Sequence, residues 1–93
     1  MITFEFDINK SMTNREKHGI DFNEAQRLWD DLWLIEIPVI TTDEPRNQSI
    51  GKINGQYWTA VTTPRDNNIR MISVRRSRKT EEAIYEEYNS KRV

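Results

Sequence analysis

SIGKINGQYWTAVTTPRDNNIRMISVRR, residues 49–76, decides the fold. Ser49–Ile53 reads as a strand, and Asn54-Gly55 supplies the left-handed pair that a two-residue hairpin requires. Gln56–Thr63 is the returning strand. Pro64-Arg65-Asp66-Asn67 makes a second turn, and Ile69–Arg75 runs back as another strand. Strict alternation puts Arg70, Ile72, Val74 and Arg76 on one face and Ile69, Met71, Ser73 and Arg75 on the other. Two consecutive hairpins imply an antiparallel sheet.

Upstream, LWLIEIPVI (32–40) is β-branched and aromatic, with Pro38 marking an edge strand or a bulge. TTDEPRN (41–47) is a loop. ITFEF (2–6) alternates apolar and polar residues and reads as a short strand. Asp7 is placed to cap a helix over 8–17, whose apolar surface is essentially Ile8 and Met12, and Gly19 stops it. Asp21 with Glu24 starts a second helix carrying the stripe Phe22, Ala25, Leu28 and Trp29, which Asp30 and Asp31 close. Thr80 can cap a last helix, 81–90, with Ala83, Ile84, Tyr85 and Tyr88 as inward residues. The pattern predicts an α+β fold, a single domain over 1–93: two N-terminal helices and a C-terminal helix packed on a curled antiparallel sheet.

The net charge of -1 hides a separation. Residues 1–45 carry 4 basic and 10 acidic side chains, residues 46–80 carry 8 and 1, and residues 81–93 carry 2 and 4. A cluster of arginines suits a phosphodiester backbone, because guanidinium groups fork onto phosphate oxygens. The same cluster also suits a salt-bridge network with the acidic N-terminal part. No cysteine is present, which removes disulfides, thiolate metal sites and a cysteine nucleophile. MITFEFD has neither the basic nor the apolar region of a secretory leader, and no apolar run approaches a bilayer span. A cytoplasmic location away from the membrane is the expectation.

Lys10, Asn14 and Lys17 recur at helical spacing, with His18, the only histidine, one step around. They form a polar stripe roughly opposite Ile8 and Met12. A lysine stripe is often no more than a solvated face, and a lone histidine is often structural. Here the histidine stands beside a lysine at a helix end, where it can carry a proton or hold a phosphate. Arg70, Arg75 and Arg76 can reach the rim of the sheet, Arg78 and Lys79 extend the positive surface, and Arg65 can join from the turn. Either Arg75 or Arg76 is also placed to tie down Glu81 or Glu82. No phosphate loop, HExxH or EF-hand pattern is present, and the acidic pairs lack an identifiable third metal ligand. The remaining route to phosphodiester cleavage needs no metal or other cofactor. Arg and Lys stabilise the charged phosphorane, Lys17, His18 or Tyr85 moves protons, and RNA supplies its own 2′-hydroxyl.

FEFDINKSMTNREKHGIDFNEAQRLWDD (4–31) resembles the N-terminal signature of BrnT-type toxins: Asp7, Lys10, Asn14, the Lys17-His18-Gly19 triplet, Phe22, Glu24-Ala25 and Trp29-Asp30. Ile50-Gly51 before a hairpin, Thr63, Arg65, Ile69-Arg70, Ile72-Ser73, Arg75, Glu82 and Tyr85 are similar to the second half. The resemblance implies a RelE-like fold and the ribonuclease half of a type II toxin–antitoxin pair that arrests translation and growth. It implies a ribbon-helix-helix antitoxin of the BrnA kind as partner, joined in a 2:2 heterotetramer that reaches DNA only through the antitoxin. The site residues expected on this basis are Lys17, His18, Arg70, Arg75 and Tyr85 for catalysis. Lys10, Asn14, Arg65, Arg76, Arg78 and Lys79 are expected to hold RNA. Trp33 and Trp58 are candidate anchors for the partner. Two alternatives stand beside this reading, a catalytically silent antitoxin-binding module and a regulator that binds nucleic acid through the basic strand.

Overall fold

A computed structural model describes residues 2–40 and 43–91. The elements are β1 (Phe4–Glu5), α1 (Ile8–His18), α2 (Phe22–Ala25) continuing into a 3₁₀ turn (Gln26–Asp30), β2 (Ile35–Val39), β3 (Arg46–Ile53), β4 (Gln56–Arg65), β5 (Asn68–Arg76) and α3 (Lys79–Ser90). The five strands lie in the order β1-β5-β4-β3-β2. The β2–β5 neighbours pair antiparallel, but β1 pairs parallel with β5, so the sheet is mixed where the hairpins alone implied an antiparallel one. β1 joins no hairpin; it meets β5 from across the chain and points the same way. Asn54 and Gly55, at φ 51° and 79°, make the expected tight turn. The next turn is shorter than expected. Pro64 and Arg65 still pair within β4, and Asp66 takes the left-handed conformation at φ 55°. β2, with Pro38, lies at the sheet edge as its sequence suggests. Arg46 and Asn47 begin β3 rather than ending the preceding loop, in which Thr41 and Thr42 lie outside the described residues.

Alternation fails inside β5. Val61 is opposite Ser73 and Thr62 opposite Met71, so Ile72 has no partner and forms a bulge. Side chains beyond it switch faces. Met71 and Val74 therefore enter the same core, with Ile20, Phe22, Ala25, Leu28, Ile53, Trp58 and Ala60 beneath α1 and α2. Arg70 and Arg75, assigned to opposite faces by strict alternation, share the other face, opposite Thr63 and Thr59. A second, smaller cluster (Ile35, Ile50 and Tyr85) lies on that face under α3. In α3, Tyr85 is buried, whereas Tyr88 is 61% exposed and Ala83 also faces solvent, against the expectation for both.

α1 is capped as its sequence predicts. The Asp7 carboxylate accepts from Asn9 N and Lys10 N, and Gly19 leaves the helix at φ 79°, where a side chain is strained. Its packing is unusual, because it buries polar residues. Asn14 donates from Nδ2 to the carbonyls of Ile20 and Val74, both at 2.8 Å, and accepts from Val74 N at 3.1 Å. β1 covers β5 only at Ile69 and Arg70. Beyond that point the Asn14 amide takes the place of a neighbouring strand. Ser11 Oγ accepts from Phe22 N and ties α1 to α2. Ile8 and Met12 are 64% and 60% exposed.

α3 starts two residues earlier than Thr80 suggests, with Arg78 at its N-cap. The Glu81 carboxylate reaches back to accept from Arg78 N and fixes the start there. Glu81 is buried and grips Arg75 through two hydrogen bonds of 2.8 Å, with Thr59 Oγ1 donating a further one. The Arg75 hydrogen bonds, helped by Arg78 N and Thr59, lower its carboxyl from the ordinary 4.5 to about 2. Asp31 joins three elements. It accepts from Trp33 N, from Lys52 N in β3, and from the Tyr85 hydroxyl in α3.

Two outcomes follow from this packing. Asn14→Leu leaves the Val74 and Ile20 backbone groups unpaired and lowers unfolding free energy by about 3 kcal/mol in urea titration, whereas Met12→Ser stays within about 0.5 kcal/mol. The depressed Glu81 carboxyl stabilises the folded state above pH 4.5 and loses that contribution as pH falls toward about 2. Glu81→Gln therefore lowers stability at pH 7 by about 3 kcal/mol and by much less at pH 2.

Candidate RNA-cleavage site on the first helix

α1 leaves β1 in the direction that β5 runs and lies along the β5 edge. Along its β5-facing flank, Lys10, Thr13, Asn14, Lys17 and His18 line a pocket of about 240 Å³ with Ile72 and Ser73. Each side of this pocket has a local cause. Asp7 and Gly19 set where the helix begins and ends, which puts Lys17 and His18 in its last turn. The α1 C-terminus carries the partial negative charge of unpaired carbonyls, which favours cations there. The bulge turns Ile72 out of the ladder and into the pocket wall. Bulges recur beside active sites because they re-aim side chains.

The expected site residues separate by what holds them. Lys10, Lys17 and His18 are exposed and have no carboxylate within ion-pair distance among the described residues. Arg78 is likewise exposed and unpaired, and Arg76 lies with its guanidinium 5.4 Å from the centre of the Trp58 ring. These groups can receive an anion without first giving one up.

Arg70 and Arg65 face Glu5 instead, at 3.3 and 3.9 Å. The Asn68 amide, together with Arg70 and Arg65, holds the Glu5 carboxyl below its usual range. Arg75 is occupied by Glu81, which realises the structural alternative for that residue. Lys79 is 94% exposed and 3.8 Å from Glu82. Asn14 lines the pocket with its amide already committed to backbone. Tyr85 is buried under α3, and burial, with the Asp31 carboxylate, pushes its hydroxyl well above the ordinary phenol range. It is a fixed donor to Asp31. Lys10, Asn14, Lys17 and His18 thus come together, while Arg70, Arg75 and Tyr85 belong to the opposite face of the sheet. Ser73 connects the two surfaces, since it lines the pocket and stands between Arg70 and Arg75 in β5.

Thr13, Ile72 and Ser73 are pocket residues that sequence reasoning did not single out. Thr13 was within reach, one position from Asn14 on the same stripe, but the bulge that turns Ile72 leaves no mark in the alternation. A second polar group was also unforeseen. On the α3 face the Tyr57 hydroxyl donates to Glu86, Lys52 Nζ lies 3.5 Å from Glu86, and the same ammonium sits 4.8 Å above the Tyr57 ring. Among the described residues, no three of His, Asp and Glu converge in a metal-binding arrangement, and no helix is long and apolar enough to cross a membrane.

No curated protein matches the chain. The family model described as ribonuclease toxin, BrnT, of type II toxin-antitoxin system matches residues 6–81. That span begins just after β1, at Phe6, and runs through the capping glutamate of α3, and so takes in the whole α1 pocket; Glu82 and Tyr85 fall beyond it. With most of its length matched and the pocket inside the match, the chain belongs to the BrnT family of ribonuclease toxins of type II toxin–antitoxin systems, whose members act on RNA and are paired with an antitoxin.

Proposed function

We infer that this chain is a metal-independent endoribonuclease whose site is the α1 pocket. The supporting observation is the grouping there of the only histidine with two unpaired lysines, beside a strand bulge. Lys10 and Lys17 hold the phosphodiester and offset the charge that builds on its non-bridging oxygens. The RNA 2′-hydroxyl oxygen attacks phosphorus as its proton passes to the His18 imidazole. The bond from phosphorus to the 5′-oxygen breaks, and the leaving oxygen takes a proton from Lys17 or the solvent it orders. The products are a 2′,3′-cyclic phosphate and a 5′-hydroxyl. Arg76 and Arg78 extend the track for the RNA backbone past the end of β5. Arg65, Arg70, Arg75 and Lys79 contribute field rather than direct contact while their carboxylates hold them.

In the cell this activity arrests translation and growth in the cytoplasm, on a RelE-like fold. A BrnA-like ribbon-helix-helix antitoxin neutralises it in a 2:2 complex, and that complex meets DNA through the antitoxin. The pairing of Arg70 and Arg75 with carboxylates favours a second reading, a silent module that retains the antitoxin contact without cleavage.

Expression of the chain alone in a bacterial host separates them. The ribonuclease reading predicts growth arrest with RNA breakdown, lost in Lys17→Ala/His18→Ala. Purified enzyme should leave cyclic phosphate ends in the presence of a chelator, with the double variant slower by at least about 100-fold. Tyr85→Phe should cleave at near the normal rate. Intact RNA and normal growth with folded wild-type protein would leave the silent module, and 5′-phosphate ends that require magnesium would overturn the chemistry. Each of Lys10→Ala and Lys17→Ala should also reduce the salt dependence of RNA binding by about one charge.

A further inference from the structure

Arg76 is held unlike the other cations along the proposed RNA track. It stands at the end of β5 opposite Trp58 in β4, and its guanidinium lies 5.4 Å from the centre of the indole. Trp58, one of the two tryptophans expected to anchor the partner, is 8% exposed and belongs to the core with Ile20 and Phe22. The ring is fixed by the core around it, so it sets the place of the arginine that covers it. Arg76 itself is exposed and has no carboxylate within ion-pair distance among the described residues. One side of its guanidinium therefore meets the indole, and the other is open to solvent. The bulge decides what lies near it. Beyond Ile72, Val74 and Arg76 share the face that α1 covers. Asn14 ties α1 to Val74. From that tie the four helix residues to His18 rise about 6 Å, and the two strand residues to Arg76 advance about 6.6 Å in the same direction. Arg76 thus stands level with His18.

We propose that Arg76 is a stacking plate, on whose open side an unpaired nucleobase of the RNA lies next to the phosphodiester held at His18. The proposal rests on the ribonuclease reading above and names the part of the RNA that Arg76 meets: a base, while Arg78 keeps to the backbone. A guanidinium is planar and weakly hydrated, with its N–H donors in the plane, so its faces suit a flat ring. Unstacked RNA bases settle on aromatic rings and on arginine planes alike. A free arginine must first be ordered to serve in this way, and Trp58 has already ordered this one. The neighbouring cations lack one part or another of the arrangement. Lys10 and Lys17 are point charges without a plane. Arg78 has a plane but no ring behind it, and the plane of Arg75 is taken by Glu81. Trp33, although 44% exposed, leads into β2 at the far edge of the sheet from β5. Arg76 is therefore the substrate-binding group, and Trp58 is its positioning residue.

The test measures binding of the full chain to a short single-stranded 2′-O-methyl RNA, which cannot be cleaved, and to a series in which one base after another is removed to leave an abasic sugar. An abasic site keeps every phosphate, so it separates stacking from charge. Wild type should lose about 10-fold in affinity when the base at one position is missing. Arg76→Lys keeps the charge and removes the plane. It should bind the intact RNA about 10-fold more weakly, show no abasic position that matters there, and keep the salt dependence of wild type. Arg76→Ala should show the same indifference to the abasic site and lose about one charge from the salt dependence. Trp58→Leu, with Arg76 intact, should weaken the abasic effect; if that variant does not fold, the two Arg76 variants decide alone. An abasic effect that persists undiminished in Arg76→Lys, or that is absent from wild type at every position, would overturn the plate and leave Arg76 as a phosphate contact. Cleavage is scored separately on ordinary RNA. A wild type that shows the abasic effect but leaves RNA intact would overturn the cleavage reading and uphold the plate, whereas a wild type that cleaves RNA without the effect would overturn the plate alone. A wild type that binds no RNA would overturn both.

Discussion

The open edge of β5 is the constraint around which the structure is arranged. β1 is too short to cover it, and Val74 presents its N–H and C=O to an edge without a strand. An unpaired strand edge costs hydrogen bonds and invites association with other chains. Asn14 resolves this with a side-chain amide that has the donor and acceptor of a peptide group. The solution fixes α1 beside β5 and turns one helix face into a polar contact. It also leaves two other faces to solvent, one cationic and one apolar. The pocket, the unpaired lysines and the exposed Ile8 and Met12 all descend from that one amide.

The second organising fact is the division of the basic residues into those the fold uses and those it leaves free. Sequence presents the arginines from Arg65 to Arg78 as one positive cluster. Glu5 gathers Arg65 and Arg70, and Glu81 takes Arg75. An arginine held by two hydrogen bonds to a buried carboxylate is expensive to release, because that carboxylate would remain buried without a partner. RNA competes poorly for such a group. Lys10, Lys17, His18 and Arg78 carry no such obligation, so the charge available to an anion sits on α1 and around the end of β5.

Much of this was legible in the sequence, and what was legible is local. Asp7, Gly19 and Asp21 act within one turn of themselves, and Asn54-Gly55 sets its turn by its own backbone preference. Pro38 marks an edge strand for the same reason. The features that escaped depend on partners far along the chain. The Ile72 bulge arises from the register of β5 on β4 and exchanges the faces of every residue after it. Asn14 reads as one more polar member of a lysine stripe until Val74, sixty positions away, is brought beside it. Sequence offered Arg75 and Arg76 equally as partners for Glu81 or Glu82; the bulge decides for Arg75 by placing it on the α3 face, and sends Arg76 to Trp58. Parallel pairing of β1 has no turn to announce it. The α1 residues of the expected site came together; the β5 register took Arg75 to the α3 face, and Tyr85 was buried there against Asp31.

The central claim is that RNA is held by the unpaired cationic flank of α1 and not by the arginines of the opposite face. Its most direct test is a chemical-shift map, recorded by NMR on the isotope-labelled chain as a non-cleavable 2′-O-methyl RNA oligonucleotide is added. Shifts concentrated at Lys10–His18 and Ile72–Ser73, including the His18 ring, are the predicted result. Shifts confined to Arg70, Arg75 and Glu81, or to Lys52, Tyr57 and Glu86 beside α3, with α1 unmoved, would contradict it.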